Sequence, residues 1–190
     1  MPYGGGFKPF LDDLAAQGLN SIRLWVSIVG EGTTVRTFPP TTCPGAPPAT
    51  LTLSNPTRVT NDNPFQYAGG PLVNGVGRWY LDKKDADYFQ RLADVVNYAN
   101  KKGILVEVTL FSPLTANIGI GPYGKDHAYL SNGTKVPGFT DTANFTNLAS
   151  AEYQQMSPYL LNVIHWTVDA LYTYANVYTN PIPTPTTWCS

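Results

Sequence analysis

Residues 85–111 read DADYFQRLADVVNYANKKGILVEVTLF, and the two halves of this stretch carry different periods. In the first half Phe89, Leu92, Val96 and Ala99 recur at three and four residues, with Tyr88, Ala93 and Val95 widening the stripe. That spacing predicts an amphipathic helix over 85–102. Asp85 and Asp87 suit its positive N-terminal end, Lys101 and Lys102 suit its negative C-terminal end, and Gly103 can take the left-handed stop. The second half, ILVEVTLF at 104–111, is apolar except for Glu107 and Thr109. So short and apolar a run suits a parallel strand covered by helices on one side and buried on the other. A helix that stops on glycine and passes at once into such a strand is part of a βα repeat.

The same join occurs upstream. Pro9 suits a first helical turn, Phe10, Leu11 and Leu14 follow it, and Gly18 can end that helix. SIRLWVSI at 21–28 then sets Ile22, Leu24, Val26 and Ile28 in alternation with Ser21, Arg23, Trp25 and Ser27. Period two predicts a strand with one apolar side and one mixed side. Downstream, Pro158 is expected to open a third helix, with Leu160, Val163, Ile164, Thr167, Val168 and Leu171 on one stripe, and 175–179 the next strand. Residues 30–77 and 112–150 have no helical period and read as long loops, the first full of Pro, Thr, Asn and Gly. Loops of such length are uncommon in a compact domain and are often functional, although insertions that only cover the structure fit equally. Tight turns before strands and long loops after them are the grammar of an α/β fold built from βα units, with the chemistry in the loops.

Composition bounds the function. The 190 residues suffice for one domain with its own core, and 43% are hydrophobic, so the chain should fold. Only 13% are charged and the net charge is -1, which leaves no basic stripe for nucleic acid. No apolar run is long enough to span a membrane. The 12 Tyr, 8 Phe and 4 Trp suit stacking on sugar rings and suit a well-filled core equally. Cys43 and Cys189 lie in Pro- and Thr-rich segments without a CxxC or a nearby His, so neither suggests a metal. They could form a disulfide in an oxidising compartment or remain two thiols. Asn132-Gly-Thr and Asn144-Phe-Thr fit the N-glycosylation sequon, whereas Pro56 excludes Asn55. The opening MPYGGGFKPF lacks the pattern of a secretory leader. No phosphate loop, HExxH or dinucleotide fingerprint occurs, and no cofactor is expected.

Three stretches carry a resemblance. LAAQGLNSIRLWVSI (14–28) and DYFQRLADVVNYANKKGILVEVTLFSP (87–113) resemble the second and third βα units of clan-A glycoside hydrolases. This is the TIM-barrel group of cellulases and mannanases similar to family 5. NVIHWTVDALYTYANVY (162–178) resembles the helix before the fourth strand and the strand's beginning. The resemblance implies a partial (β/α)8 barrel of about three βα units over 1–179. It also implies a secreted parent protein and retaining hydrolysis of a β-linked polysaccharide by two glutamates. In that family the fourth strand runs into an Asn-Glu pair, which supplies the acid/base. Here Asn176-Val-Tyr leads into TNPIPTPTTWCS, and no Asp or Glu follows Asp169. The Pro- and Thr-rich tail, 180–190, therefore departs from the family pattern. No catalytic glutamate is carried over, and the chain is expected to be a portion cut before its proton donor and inactive alone. A non-catalytic carbohydrate-binding or interaction domain is the alternative.

Five residues are candidates for binding substrate or supporting the site: Arg23, Trp25, Phe111, Tyr123 and His127. The resemblance makes Arg23 the residue that orients catalytic carboxylates, and an ion pair with Glu107 is the structural alternative. Glu107 itself lies mid-strand, below the rim where barrel chemistry occurs, and is expected to be structural. Phe111 stands where many relatives carry a histidine. Trp25, at the rim, could stack a sugar or pack. Tyr123 and His127 fall in the loop expected to face the cleft. A lone loop histidine is more often merely exposed, although Asp126 beside it offers an acid pair. Trp79 and Tyr80 precede the clearest helix, and Trp166, within a helix, is expected to pack.

Overall fold

The computed structural model describes residues 6–26, 34–37, 50–53, 63–69, 77–111, 122–140, 144–145 and 147–180. Its main sheet is parallel, with the order β1 (Ser21–Trp25), β6 (Leu105–Thr109), β8 (Val177–Asn180). The helices α1 (Phe7–Ala16), α2 (Ala86–Lys101) and α3 (Ala151–Leu171) each precede one of these strands. The molecule is thus an α/β structure with a parallel sheet and long helices. Among the described residues the sheet keeps two edges, at β1 and β8, and does not close.

Two of the helix-to-strand joins share one device. Gly18 (φ 76°) donates to Ala15 O at 3.0 Å, and Leu19 N–H donates to Leu14 O at 2.9 Å. Gly103 (φ 69°) donates to Asn100 O at 3.1 Å, and Ile104 N–H donates to Ala99 O at 2.9 Å. Both are Schellman closures, in which a left-handed glycine lets the last carbonyls find donors and turns the chain back. At the other end of α2 the Asp85 carboxylate accepts from Tyr88 N–H at 2.8 Å. The apolar stripe of α2, Phe89, Leu92, Val96 and Ala99, is buried as its spacing requires. It shares a core with Val106 and Val108 of β6 and with Met156, Leu160, Val163 and Leu171 of α3. Asn176 ties the layers together, its side-chain amide donating to Ile104 O at 3.0 Å.

α3 does not open at Pro158. It starts seven residues earlier, with Ser150 Oγ accepting from Tyr153 N–H at 3.0 Å as its N-cap. Pro158 sits inside the helix and cannot supply the N–H that would reach Gln154 O. The Ser157 hydroxyl donates to that carbonyl instead, at 3.1 Å. Val168, expected on the buried stripe, is 47% exposed.

The segments expected to be loops contain strands. β2 (Thr34–Thr37) and β3 (Thr50–Leu53) form an antiparallel ribbon. β4 (Phe65–Tyr67) pairs antiparallel with β5 (Trp79–Lys84), and β5 pairs parallel with β7 (Ala128–Tyr129). β2, β3, β4 and β7, of two to four residues, are too short for a visible alternation and leave no period to read, whereas β5, of six, lies between the first expected loop and α2. Phe65, Trp79, Leu81 and Ala128 of this second sheet are fully buried. Trp166 of α3 packs edge-on against Phe65 at 5.8 Å and Phe89 at 6.2 Å, joining the second sheet to the helices. The end of the first predicted strand beyond Val26, both cysteines and the 181–190 tail lie outside the described residues.

Candidate functional site

Alternation along the three parallel strands sends Ile22, Leu24, Val106 and Val108 to the core. It sends Arg23, Trp25, Glu107, Thr109 and Tyr178 to the opposite face. That face is not buried throughout, as the apolar run of β6 had suggested: Leu105 at its base is 49% exposed and Tyr178 is 50% exposed. Toward the C-terminal ends of the strands it becomes covered, and Thr109 is completely buried.

The pairing register sets two rows across this face. Arg23, Glu107 and Tyr178 are mutual neighbours in the lower row. Arg23 Nη2 lies 2.9 Å from Glu107 Oε2, and the Tyr178 hydroxyl donates to the same oxygen at 3.2 Å. The ion pair weighed as an alternative role for Arg23 is therefore formed, and Glu107 sits mid-strand as a member of it. Partial desolvation, then the charge of Glu107 and its hydrogen bond, hold the Tyr178 phenol above its ordinary value, while Arg23 pulls the other way. The upper row is Trp25 and Thr109. Trp25 is half-buried at the last position of β1. Among the described residues Thr109 Oγ1 has no hydrogen-bond partner, although the residue is fully buried. A buried hydroxyl without a partner costs free energy.

The remaining candidates stand elsewhere. Phe111, just past β6, is half-buried and packs edge-on against Tyr123 at 6.4 Å and Phe145 at 6.2 Å. Tyr123 is 1% exposed and also meets Phe65 edge-on at 5.4 Å, so its ring belongs to the core. His127, expected to be exposed, is 1% exposed. Its Nδ1 lies 2.9 Å from Gly77 O, and because a carbonyl only accepts, that nitrogen carries the proton. The ring packs edge-on beside Trp79, so burial and a backbone bond give it a structural place. Asp126 does not form the suggested acid pair in its described hydrogen bonds. Its carboxylate meets Lys135 Nζ at 3.0 Å, and that bond holds it below the usual carboxylate range. Trp79 is fully buried, and Tyr80 is half-buried beside it in β5.

Chemically, the lower row is a carboxylate held by a guanidinium and a phenol. It can fix hydroxyl groups by hydrogen bonds. Retaining glycoside hydrolysis needs two carboxyls about 5–5.5 Å apart. Among the described residues several other acids are engaged away from Glu107: Asp12 with Lys102, Asp82 with Ser131, Asp85 in its cap, Asp94 with Gln90, Asp126 with Lys135 and Glu152 with Thr140. Among the described residues no three His, Cys, Asp or Glu side chains gather to hold a metal ion, and no helix is long and apolar enough to cross a membrane.

Sequence reading missed Thr109 and Tyr178 as members of this face. The signal for Thr109 was present, since it and Glu107 are the two polar residues of an apolar strand, spaced by two. Nothing local marks Tyr178, whose place depends on the register of β8 against β6.

Comparison with protein-family models, with curated proteins and with solved structures gives no match to this chain.

Proposed function

We propose that the chain is a carbohydrate-active domain of the (β/α)8 type, similar to clan-A glycoside hydrolases acting on β-linked polysaccharides such as cellulose or mannan. In this reading β1, β6 and β8 correspond to the second, third and fourth barrel strands, and the Arg23–Glu107–Tyr178 face is the barrel interior. The observation that carries the reading is that row of polar side chains, level across three adjacent parallel strands and opposite a helix-packed face. Alternating helices and parallel strands joined by glycine turns support it as well. Trp25 is the stacking platform of the site, and Glu107 is its hydrogen-bonding group.

A second reading, saccharide binding without cleavage, is favoured by the single carboxylate described on that face. One experiment addresses both readings. The purified chain is titrated calorimetrically with cello- and manno-oligosaccharides, and reducing ends are assayed after long incubation. The expected result is saturable binding, weakened at least tenfold by Trp25→Ala, without release of reducing ends. Sustained turnover lost in Glu107→Gln would make this chain a hydrolase in its own right. Absence of binding to either oligosaccharide series would remove the carbohydrate reading.

A further inference from the structure

Of the two glycosylation sequons, the structure offers one amide and occupies the other. Asn132-Gly133-Thr134 forms the tip of a tight hairpin, and all three residues are exposed. Gly133 N–H donates to Leu130 O at 2.9 Å, and Leu130 N–H donates to Thr134 O at 2.8 Å. Gly133 has φ 87°, the left-handed residue that a three-residue hairpin loop requires. The tip is anchored from below by Asp82, whose carboxylate accepts from Ser131 N–H at 2.9 Å and from Ser131 Oγ at 2.6 Å. Asn132 Oδ1 accepts from Thr134 N–H at 2.9 Å, which fixes the side chain over its own sequon. Among the described residues its Nδ2 has no acceptor.

Asn144 is placed differently. It is half-buried, and its Nδ2 donates to Glu152 Oε2 at 3.0 Å in the first turn of α3. The same carboxylate accepts from Thr140 Oγ1 at 2.7 Å and from Thr140 N–H at 3.1 Å. The carbonyl of Asn144 takes the hydroxyl of the helix cap, Ser150, at 3.0 Å. A sugar on this half-buried nitrogen would leave it one hydrogen and would crowd the carboxylate that organises the start of α3.

We infer that Asn132 is an N-glycosylation site and that Asn144 is not. The donor is an oligosaccharide linked to a polyprenyl diphosphate, transferred by an oligosaccharyltransferase. The new bond joins Asn132 Nδ2 to the anomeric carbon of the first sugar. The amide loses one proton, and the lipid diphosphate departs with the electron pair of the broken C–O bond. Transfer precedes folding, so the folded structure acts as the filter, keeping chains modified at Asn132 and rejecting those modified at Asn144. The inference does not depend on the carbohydrate reading of the sheet face.

The test is secretion of the full chain, carrying a cleavable leader, from a eukaryotic host, with gel mobility compared before and after peptide-N-glycosidase. One enzyme-sensitive step is expected. It should vanish in Asn132→Gln and in Thr134→Ala, and persist in Asn144→Gln. Thr134 contributes only backbone atoms to the hairpin bonds above, so Thr134→Ala leaves those bonds in place. Because Asn-Gly pairs also deamidate spontaneously, release in heavy-oxygen water is run beside an enzyme-free control in the same water, and peptide mapping identifies the modified residue by the label that only the enzyme introduces. A secreted chain without any sensitive step, or a step that survives Asn132→Gln and is lost in Asn144→Gln, overturns the inference.

Discussion

Thr109 is the residue at which a buried polar group weighs on stability. Its hydroxyl is buried without a partner among the described residues, a state that costs about 1–3 kcal/mol relative to a satisfied group. Valine has nearly the same shape and no hydroxyl. Thr109→Val should therefore stabilise the free chain by about 1 kcal/mol, read as a higher denaturation midpoint. Because Thr109 has no exposed surface, the same change should leave oligosaccharide binding within about twofold. A lower midpoint would mean that the hydroxyl has a partner in the folded chain. The sequence made part of this site legible. Arg23 and Glu107 sit at alternate positions in apolar strands, which is enough to place each on the non-core side. It could not rank Tyr123 and His127. Their burial comes from Phe65, Phe111 and Trp79, residues distant in the chain, and from strands too short to announce themselves.

Among the elements, the helix-to-strand turns were the best-written part of the sequence. Glycine after the last periodic residue, followed at once by an apolar run, has a direct physical meaning, and both Gly18 and Gly103 take the expected left-handed conformation. A Cβ at Gly103 would meet nothing within 4 Å, so Gly103→Ala tests the backbone alone. It should cost about 1 kcal/mol in chemical denaturation. A neutral result would show that the turn does not need its left-handed residue. The start of α3 was misread because proline is a strong helix opener when seen by itself. Ser150 is also a good cap, and Ser157 serves the carbonyl that Pro158 abandons. That compensation lies in a side-chain rotamer, which a linear pattern does not display.

At the level of the whole molecule, several surface carboxylates are held below their ordinary values by specific donors. Asp12 is lowered by its hydrogen bond with Lys102 and then with Tyr98, and this cluster fastens α1 to the end of α2. Asp126 is lowered by Lys135, and Glu152 by the Thr140 hydroxyl and then by backbone and Asn144 donors. A carboxylate whose folded value is depressed contributes stability above its unfolded value and loses that contribution as pH falls through the folded one. The unfolded values are near 3.8 for Asp and 4.5 for Glu. Thermal midpoints should thus stay level between about pH 7 and pH 5 and decline below about pH 4.5, continuing past the ordinary carboxylate range. Asp12→Asn should flatten part of that decline. An unchanged acid limb in the variant would separate the α1–α2 fastening from acid stability.

The middle position of β6 has a kinetic consequence. Its partners, β1 and β8, come from opposite ends of the described chain, so the strand is held on both flanks only when distant segments have met. Fraying at β1 or β8 would still leave β6 bonded along its other side. Transferred into deuterated solvent, the protein should therefore surrender the backbone hydrogen of Val106, which donates to Asn176 O at 2.8 Å, only when β8 leaves the sheet, well after those of the hairpin tip at 131–133.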